Sequence, residues 1–430
     1  MRVLIVEPHA DGLLDLAIRA QAYGHDVRYF LRDYDQHKQP VGRGLVTRVP
    51  DWRDSMRWAD LVILGSLGYH MAEFDRWRGL GVPMIGGPGE VGAWELDRLA
   101  GMRAFKEAGI ATPEYRQCAT IDEALTHIAG QGDDEGVAIK PCGDVTDKSL
   151  SFVAKTPREA LWRLGRWKKE GKRFPQGLIL QERIEGVEFA VGAWIGPAGF
   201  AEGWEENFEE KRLFAGGLGP NCGEAGTVIR LGKRSDLARK VLQPFEDRLV
   251  SLGYVGNIDV NCIVDVEGNP WPLEFTVRFG YPAINIELAL HRSDPLEFLA
   301  ALAEGSKLPS RQLDTVAVGV VMALPPYPFG HEKPDEVVNV PIWGVTPGIE
   351  ESLHPAMIQA TDDGLATAGS YVLVSTGTGS SVTTARRQAY RVLNRLTVPA
   401  SPFWRNDIGS RLRADLPKLQ AHGYATDLEY

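Results

Sequence analysis

The chain has 430 residues, with 47 Lys and Arg against 57 Asp and Glu, and a net charge of −10. Hydrophobic residues make up 44% and charged residues 24%, ordinary globular usage that excludes disordered, collagen-like and coiled-coil classes. The acidic balance argues against a general nucleic-acid binder and leaves room only for a local basic patch.

In chain order, Val3–Val6 reads as a strand that ends in a Pro/His/Gly turn, and Leu13–Ala22 has helical spacing that Gly24 stops. Further strands are expected at Val27–Leu31, Leu61–Leu64 and Pro83–Ile85, giving an open parallel α/β sheet whose ligand side is the carboxyl end of its strands. One helix is expected from Ala93 to Gly109. Val137–Lys140 is a strand, followed by a polar loop holding Lys148, a strand at Leu150–Ala154 and a basic helix from Pro157 to about Glu170. Strands follow at Leu178–Glu182, Glu188–Ile195, Gly256–Val264, Trp271–Thr276 and Val316–Ala323. Glu209–Thr227 reads as a long glycine-rich loop, and Thr383–Leu396 as a final helix. Ser375–Ser381 reads as a plain strand–turn–helix connection rather than a phosphate loop. Trp94, Trp271, Trp343 and Trp404 are expected to pack inward.

Four cysteines without CxxC spacing give no zinc or disulfide framework, so a reducing compartment is the expectation. The apolar run near Ala317–Leu324 is too short to cross a bilayer, and the opening MRVLIVE reaches an acid too early for a signal peptide. A cytoplasmic protein with no membrane partner is expected. The 47 glycines exceed the roughly 7% norm and imply tight turns or close backbone–ligand approaches.

Four segments carry chemistry. In Gly256–Pro282, Asp259 and Asn261 share a strand face, and so do Glu274, Thr276 and Arg278. Two carboxylates on one wet face suit Mg2+, with Arg278 beside them for a phosphoryl oxygen; an ordinary hairpin gives the same alternation. Lys140 closes an apolar strand as a nucleotide-gripping lysine can, and as a snorkelling surface lysine also does. In Leu178–Phe189 an acid enters a turn, where it can take a ribose hydroxyl or belong to a plain hairpin. Glu209–Thr227 places five glycines after Lys211 and Arg212, which suits backbone contact to an anion or a surface loop.

These four segments in this order resemble the ATP-grasp ligases, and more closely the phosphoribosylamine–glycine ligase family. The carriers are IKPCGD…DKS, LILQERIEGVEF, EKR…GPNCGEAG, GNPWPLEFTVRFG, MALPPYPFGHEKP and FWRNDIG. The resemblance implies an α/β (α+β) ATP-grasp fold in three parts. Residues 1–92 form an N-terminal α/β domain, and 93–312 an ATP-grasp domain with its lid at about 112–187. Residues 313–430 form a small C-terminal α+β domain. It implies that Lys140 and Lys148 hold ATP phosphates, Glu182 and Ile184 frame adenine, and Glu188 holds ribose. Glu274 ligates Mg2+, replaceable by Mn2+, with Asp259 as a second oxygen ligand. Arg278 and Lys148 stabilise the phosphate in transfer. Lys211, Arg212, Asn221, Gly223, His9 and Asp11 fall where the substrates bind. The implied reaction joins a glycine-like carboxylate to an amine through an acyl phosphate, releasing ADP.

The chain departs from the family at its substrate loops. The family's GGREHA-type turn, which holds phosphoribosylamine, is here EPHADGLLDLA, where Glu7 and Asp11 oppose a phosphate. The family's Glu-x-Asn is Glu274-Phe275-Thr276, and its Gly-Asp-Pro-Glu is Gly280-Tyr281-Pro282-Ala283. The expectation is a ligase with a changed amine or acid, a modified nucleotide or DNA base among the candidates. The alternatives are a true phosphoribosylamine–glycine ligase and a non-catalytic nucleotide-binding relative. The segment 155–173 has eight Lys or Arg, Trp162 and Trp167, and reads as a solvated helix with both tryptophans inward or as a nucleic-acid contact.

Overall fold

The computed structural model describes residues 1–8, 12–32, 40–130, 136–143, 150–291, 293–308, 314–329 and 334–430. His9, Asp11 and Lys148 lie outside them.

Five parallel strands form the first sheet, in the order Thr47–Arg48, Asp26–Leu31, Arg2–Glu7, Leu61–Leu64, Met84–Ile85. The strands facing helices are near-continuous Val, Ile and Leu, as a sheet covered on both faces requires. Helix Leu13–Ala22 packs Leu13, Leu16, Ala17 and Ala20 into one core, and Trp52, Met56 and Phe74 cover the other face.

Within the segment expected to form a lid is a four-stranded antiparallel sheet, ordered Tyr115–Cys118, Leu178–Glu182, Val137–Pro141, Phe152–Ala154. Helices Ile121–Ala129 and Pro157–Lys169 cover it with a separate core of Ile128, Leu164 and Trp167. Each helix starts with a reciprocal cap. Thr120 accepts from the Glu123 amide while Glu123 accepts from Ala119, and Thr156 and Glu159 do the same with Lys155. Trp167 packs inward as expected, but Trp162 is exposed beneath the stacked Arg163 guanidinium, because it falls on the solvent side of the helix. Trp343 is exposed too, against expectation, while Trp94 is buried.

The central sheet has nine strands. The path runs Pro270–Thr276, Gly256–Asp265, Gly186–Gly196, Trp204–Glu209, Gly226–Gly232, Thr315–Ala323, Tyr371–Gly379, Leu353–Pro355, and Gly199–Phe200 pairs with Gly186–Gly196. It crosses the expected boundary at 312/313, so the long strands of the C-terminal part extend it. Helix Val382–Leu393 packs on two of those strands after a plain strand–turn connection.

Three expectations are corrected. The helix expected over Ala93–Gly109 is two, Gly89–Leu96 and Arg98–Glu107. Asp97 leaves helical geometry between them and caps the second by accepting from the Leu99 amide at 3.0 Å. The glycine-rich stretch after Glu209 is a small hairpin, Arg212–Phe214 with Leu218–Asn221, because its glycines supply positive φ at Gly216, Gly217 and Gly219. A further helix, Leu412–Gln420, follows the one expected to be last.

The helix Arg98–Glu107 is held by aromatic packing. Phe105 stacks on Phe275 with centroids 4.1 Å apart, and Trp94 and Phe245 close the cluster. Phe105→Ala is expected to cost about 3–5 kcal/mol by opening this cavity. Urea unfolding checks it; an unchanged midpoint contradicts this packing.

Candidate active site

The site forms where three elements converge. The strand Val137–Pro141 carries Lys140, helix Arg98–Glu107 carries Arg98, and the central sheet carries a face of alternate residues. That face is fixed by register. Asp259 pairs with Thr276 and Gly192, Asn261 with Glu274 and Ala190, and Glu188 with Ile263. On the next strand Glu205 faces Gly192 and Asn207 faces Ala190, with Glu209 further along. The opposite face carries Phe189, Val191, Val260 and Phe208, all in the core, so period-two alternation separates a polar face from a packed one.

Opposite charges interleave on this face. The Lys211 ammonium lies 2.5 Å from Glu188 Oε1 and 3.0 Å from Glu209 Oε2. Burial alone lowers its pKa, but Glu209, Glu188 and Glu274 outweigh burial and raise it well above the ordinary lysine value. Lys140 Nζ donates to Gln181 Oε1 at 2.7 Å. Its burial, together with the Arg98 and Lys211 cations, brings its pKa down to about 7 against the pull of Glu274 and Glu188. Arg98 reaches Glu274 Oε2 with two guanidinium nitrogens, each at 3.3 Å. Arg278 is clamped by Glu95, its Nε 3.0 Å from Oε1, while Glu95 Oε2 accepts from the Val277 amide at 2.8 Å.

The sequence-predicted residues divide accordingly. Lys140, Glu188, Lys211 and Glu274 lie in one electrostatic cluster. Asp259 shares the face but lies diagonally across from Glu274; Asn261 is the residue opposite that carboxylate. Glu182 is exposed at a strand end, with its amide donating to Glu114 O at 2.8 Å, and Ile184 is half-buried just beyond. Arg212 turns back onto its own hairpin, donating to Gly219 O at 2.9 Å, and Asn221 and Gly223 are exposed. Arg98, Gln181, Glu205 and Asn207 were not foreseen. Tertiary packing alone brings them in; the alternation Glu205, Asn207, Glu209 was the one local signal available.

At the end of the first strand, Glu7 is buried and its Oε1 accepts from the Gly12 and Leu13 amides at 3.0 and 3.2 Å, while Tyr29 donates its hydroxyl to Oε2. These are the first amides of helix Leu13–Ala22, the natural anion site of a helix N-terminus, and the chain's own carboxylate fills it. Asn285 and Tyr281, from the segment after the strand Pro270–Thr276, reach Gly12 O at 3.2 Å and Gly65 O at 2.9 Å. The carboxyl ends of the first sheet thus face the central site.

Residues 317–411 match the family model for the phosphoribosylglycinamide synthetase C domain. The phosphoribosylamine–glycine ligase of Salmonella typhimurium is 27% identical over 359 residues, covering 78% of this chain and 80% of its own. The crystal structure of the Thermotoga maritima phosphoribosylamine–glycine ligase aligns with a TM-score of 0.72 at 20% identity, over 95% of this chain and 100% of that one. The biotin carboxylase domain of Hydrogenobacter thermophilus 2-oxoglutarate carboxylase, solved with MgADP, ADP and bicarbonate, aligns at 0.63 and 14% identity, over 92% and 90%. The chain therefore has the ATP-grasp fold, with its mixed α/β layers and N-terminal parallel sheet. Within that fold it is similar over most of its length to the phosphoribosylamine–glycine ligases, as the ordered motifs implied. Among the described residues no helix is long and apolar enough to cross a membrane.

Burial and the neighbouring cations bring the Lys140 pKa down to about 7, so an anion that draws on its cation above that pH must also bring a proton. Nucleotide binding at pH 8 is expected to take up a proton, and Lys140→Arg, which stays charged, should abolish the uptake. Calorimetry in buffers of different ionisation enthalpy reads this; a buffer-independent heat for the parent chain contradicts it.

Proposed function

We propose that the chain is an ATP-dependent carboxylate–amine ligase, acting on a small acid and an amine that differ from the glycine and phosphoribosylamine pair. The observation that carries the ligase reading is the lid lysine, Lys140, set in the field of Glu274 and Glu188 from the central sheet and of Lys211 just past the end of its strand Trp204–Glu209. A lid cation above an acid-bearing sheet is an arrangement that binds polyphosphate and a divalent cation together.

The donor set fits such a cation. Glu274 offers a carboxylate, and Asn261 opposite it has a buried Oδ1 with no partner among the described residues. Asn261 thereby stands in for the asparagine that Thr276 replaces, and Asp259 lies one step along the face. Mg2+ or Mn2+ held there supplies charge neutralisation at the phosphates. Lys140 grips the nucleotide from above, with Lys148 as its expected partner on the lid. Glu188 receives the ribose, and Glu182 and Ile184 border the adenine. Arg278, fixed by Glu95, faces the phosphoryl group in transfer. The acid's carboxylate oxygen bonds to the γ-phosphorus and ADP leaves. The amine nitrogen then bonds to the acyl carbon, the carbon–oxygen bond to phosphate breaks, and the nitrogen loses a proton.

Glu7 supports the changed acceptor. Its carboxylate occupies the helix amides that a phosphate would use, and a second anion there meets repulsion instead of donors. The basic helix gives no comparable support for a nucleic-acid partner, since Arg166 pairs with Glu170 and Lys168 with Asp122.

Expression of the chain in a purine auxotroph lacking phosphoribosylamine–glycine ligase is expected not to restore growth, although the purified protein releases ADP with another acid and amine. Rescue would return the reading to phosphoribosylamine–glycine ligase. Glu274→Gln and Lys140→Ala are each expected to lower turnover on the order of 100-fold. ADP release from neither parent nor variants, with nucleotide still bound, would leave a non-catalytic relative.

A further inference from the structure

The strand Gly186–Gly196 lies between Trp204–Glu209 and Gly256–Asp265, and on the site face it carries Ala190 and Gly192. Side chains of the two outer strands therefore meet above it. Asn257 Nδ2 donates to Glu205 Oε2 at 2.9 Å, Asn207 Nδ2 to Asp259 Oδ2 at 2.7 Å, and Asn261 Nδ2 to Glu209 Oε2 at 2.8 Å. The result is a ladder of three amide–carboxylate rungs across a strand of small residues.

What the ladder leaves unfilled is all of one kind. Oδ1 of Asn207, Asn261 and Asp259 are buried and have no partner among the described residues, and the three side chains belong to residues no more than 7% exposed. Over Gly192 the missing side chain lets two carboxylates approach the strand closely. A methyl there would lie 3.1 Å from Glu205 Oε2 and 3.2 Å from Asp259 Oδ2. The neighbouring cation, Lys211, is already held by Glu188 and Glu209. A buried acceptor without a donor is costly, and a buried carboxylate without a counter-charge more so. Burial and the Glu209 charge push the Asp259 carboxyl well above the carboxylate range, against the Asn207 hydrogen bond and the Lys211 charge.

We propose that this ladder is an ammonium pocket, in which Asp259, Glu205 and Asn207 above Gly192 accept N–H bonds from a primary ammonium group of a substrate. The proposal rests on the ligase reading and gives its second site a chemistry. A primary ammonium brings one positive charge and three N–H donors to a place that holds carboxylates and orphaned oxygens. Asp259 lies two residues from Asn261, about 7 Å along the strand from the residue facing Glu274, so one small substrate spans both. Two sources supply such a group: the α-ammonium of an amino-acid substrate, or the amine that attacks the acyl phosphate.

The test is calorimetry on the full chain with Mg2+ and a non-hydrolysable ATP analogue, using glycine, methylammonium and acetate as probes. At least one of the two ammonium probes is expected to bind 10-fold or more tightly than acetate. Gly192→Ala, which crowds both carboxylates, should erase that preference while nucleotide binding persists, and Asp259→Asn should erase it too. Glycine binding with methylammonium inert assigns the α-ammonium; methylammonium binding to the glycine-loaded chain assigns the attacking amine. Equal binding of all three probes, or an ammonium preference unchanged in both variants, overturns the proposal. So does nucleotide-independent Mn2+ binding, read by paramagnetic resonance, that Asp259→Asn removes. Failure of the parent chain to bind the nucleotide analogue counts instead against the ligase reading.

Discussion

Ala190 and Gly192 face the site from a strand whose two neighbours face it with Glu205, Asn207, Asp259 and Asn261. Larger side chains there would force the acids and amides apart, and each would lose the cross-strand bond that makes its burial tolerable. Register then becomes a severe constraint. A slip of one residue would bring Phe189 and Val191 to the site and send Gly192 into the core. The polar face holds its pattern because the opposite face is a continuous apolar core that permits one register, so the stability of the sheet and the chemistry of the site are set by one alternation.

The units that meet at this face are tied to it by buried polar contacts as well as packing. The helix Leu13–Ala22 shows this twice. Its first amides are occupied by Glu7, and its Asp15 accepts from His354 Nδ1 at 2.7 Å on the C-terminal strand Leu353–Pro355. Burial lowers the pKa of His354, which therefore favours the neutral ring. Its Nε2 lies 2.8 Å from the Thr376 hydroxyl. Gly86 donates to Val255 O at 2.7 Å, joining the end of the first sheet to the start of the strand Gly256–Asp265. The four-stranded unit differs, with a core of its own, and among the described residues it brings Lys140 and Gln181 to the site.

Much of this was legible in the amino-acid sequence. The strand–helix–strand punctuation of the first 90 residues gave the parallel sheet, and the alternation in Gly256–Thr276 gave the face that bears Asp259, Asn261 and Glu274. The order of motifs gave the fold. Missed features depend on distant residues. Asp97 reads as an ordinary helical residue, and its role as a break appears only once Trp94 and Phe105 must both reach Phe275. Asp259 and Glu274 were expected on one face and share it, but the register sets Asn261 and not Asp259 opposite Glu274, with a bulge between Asn261 and Cys262. Glu7 was read as repelling a phosphate; its capping of helix amides five and six residues on could not be read from charge alone.

The central claim is that this sheet face, closed by the lid lysine, activates a carboxylate with ATP. Positional isotope exchange tests it most directly. The chain is incubated with Mg2+, a panel of small carboxylates and ATP carrying 18O in the β–γ bridge, with no amine present. Reversible transfer to an acid frees the β-phosphate of ADP to rotate, so the bridge label is expected to scramble into the non-bridging β oxygens for at least one acid, and not without acid. ATP that is bound but keeps its bridge label with every acid would contradict the account.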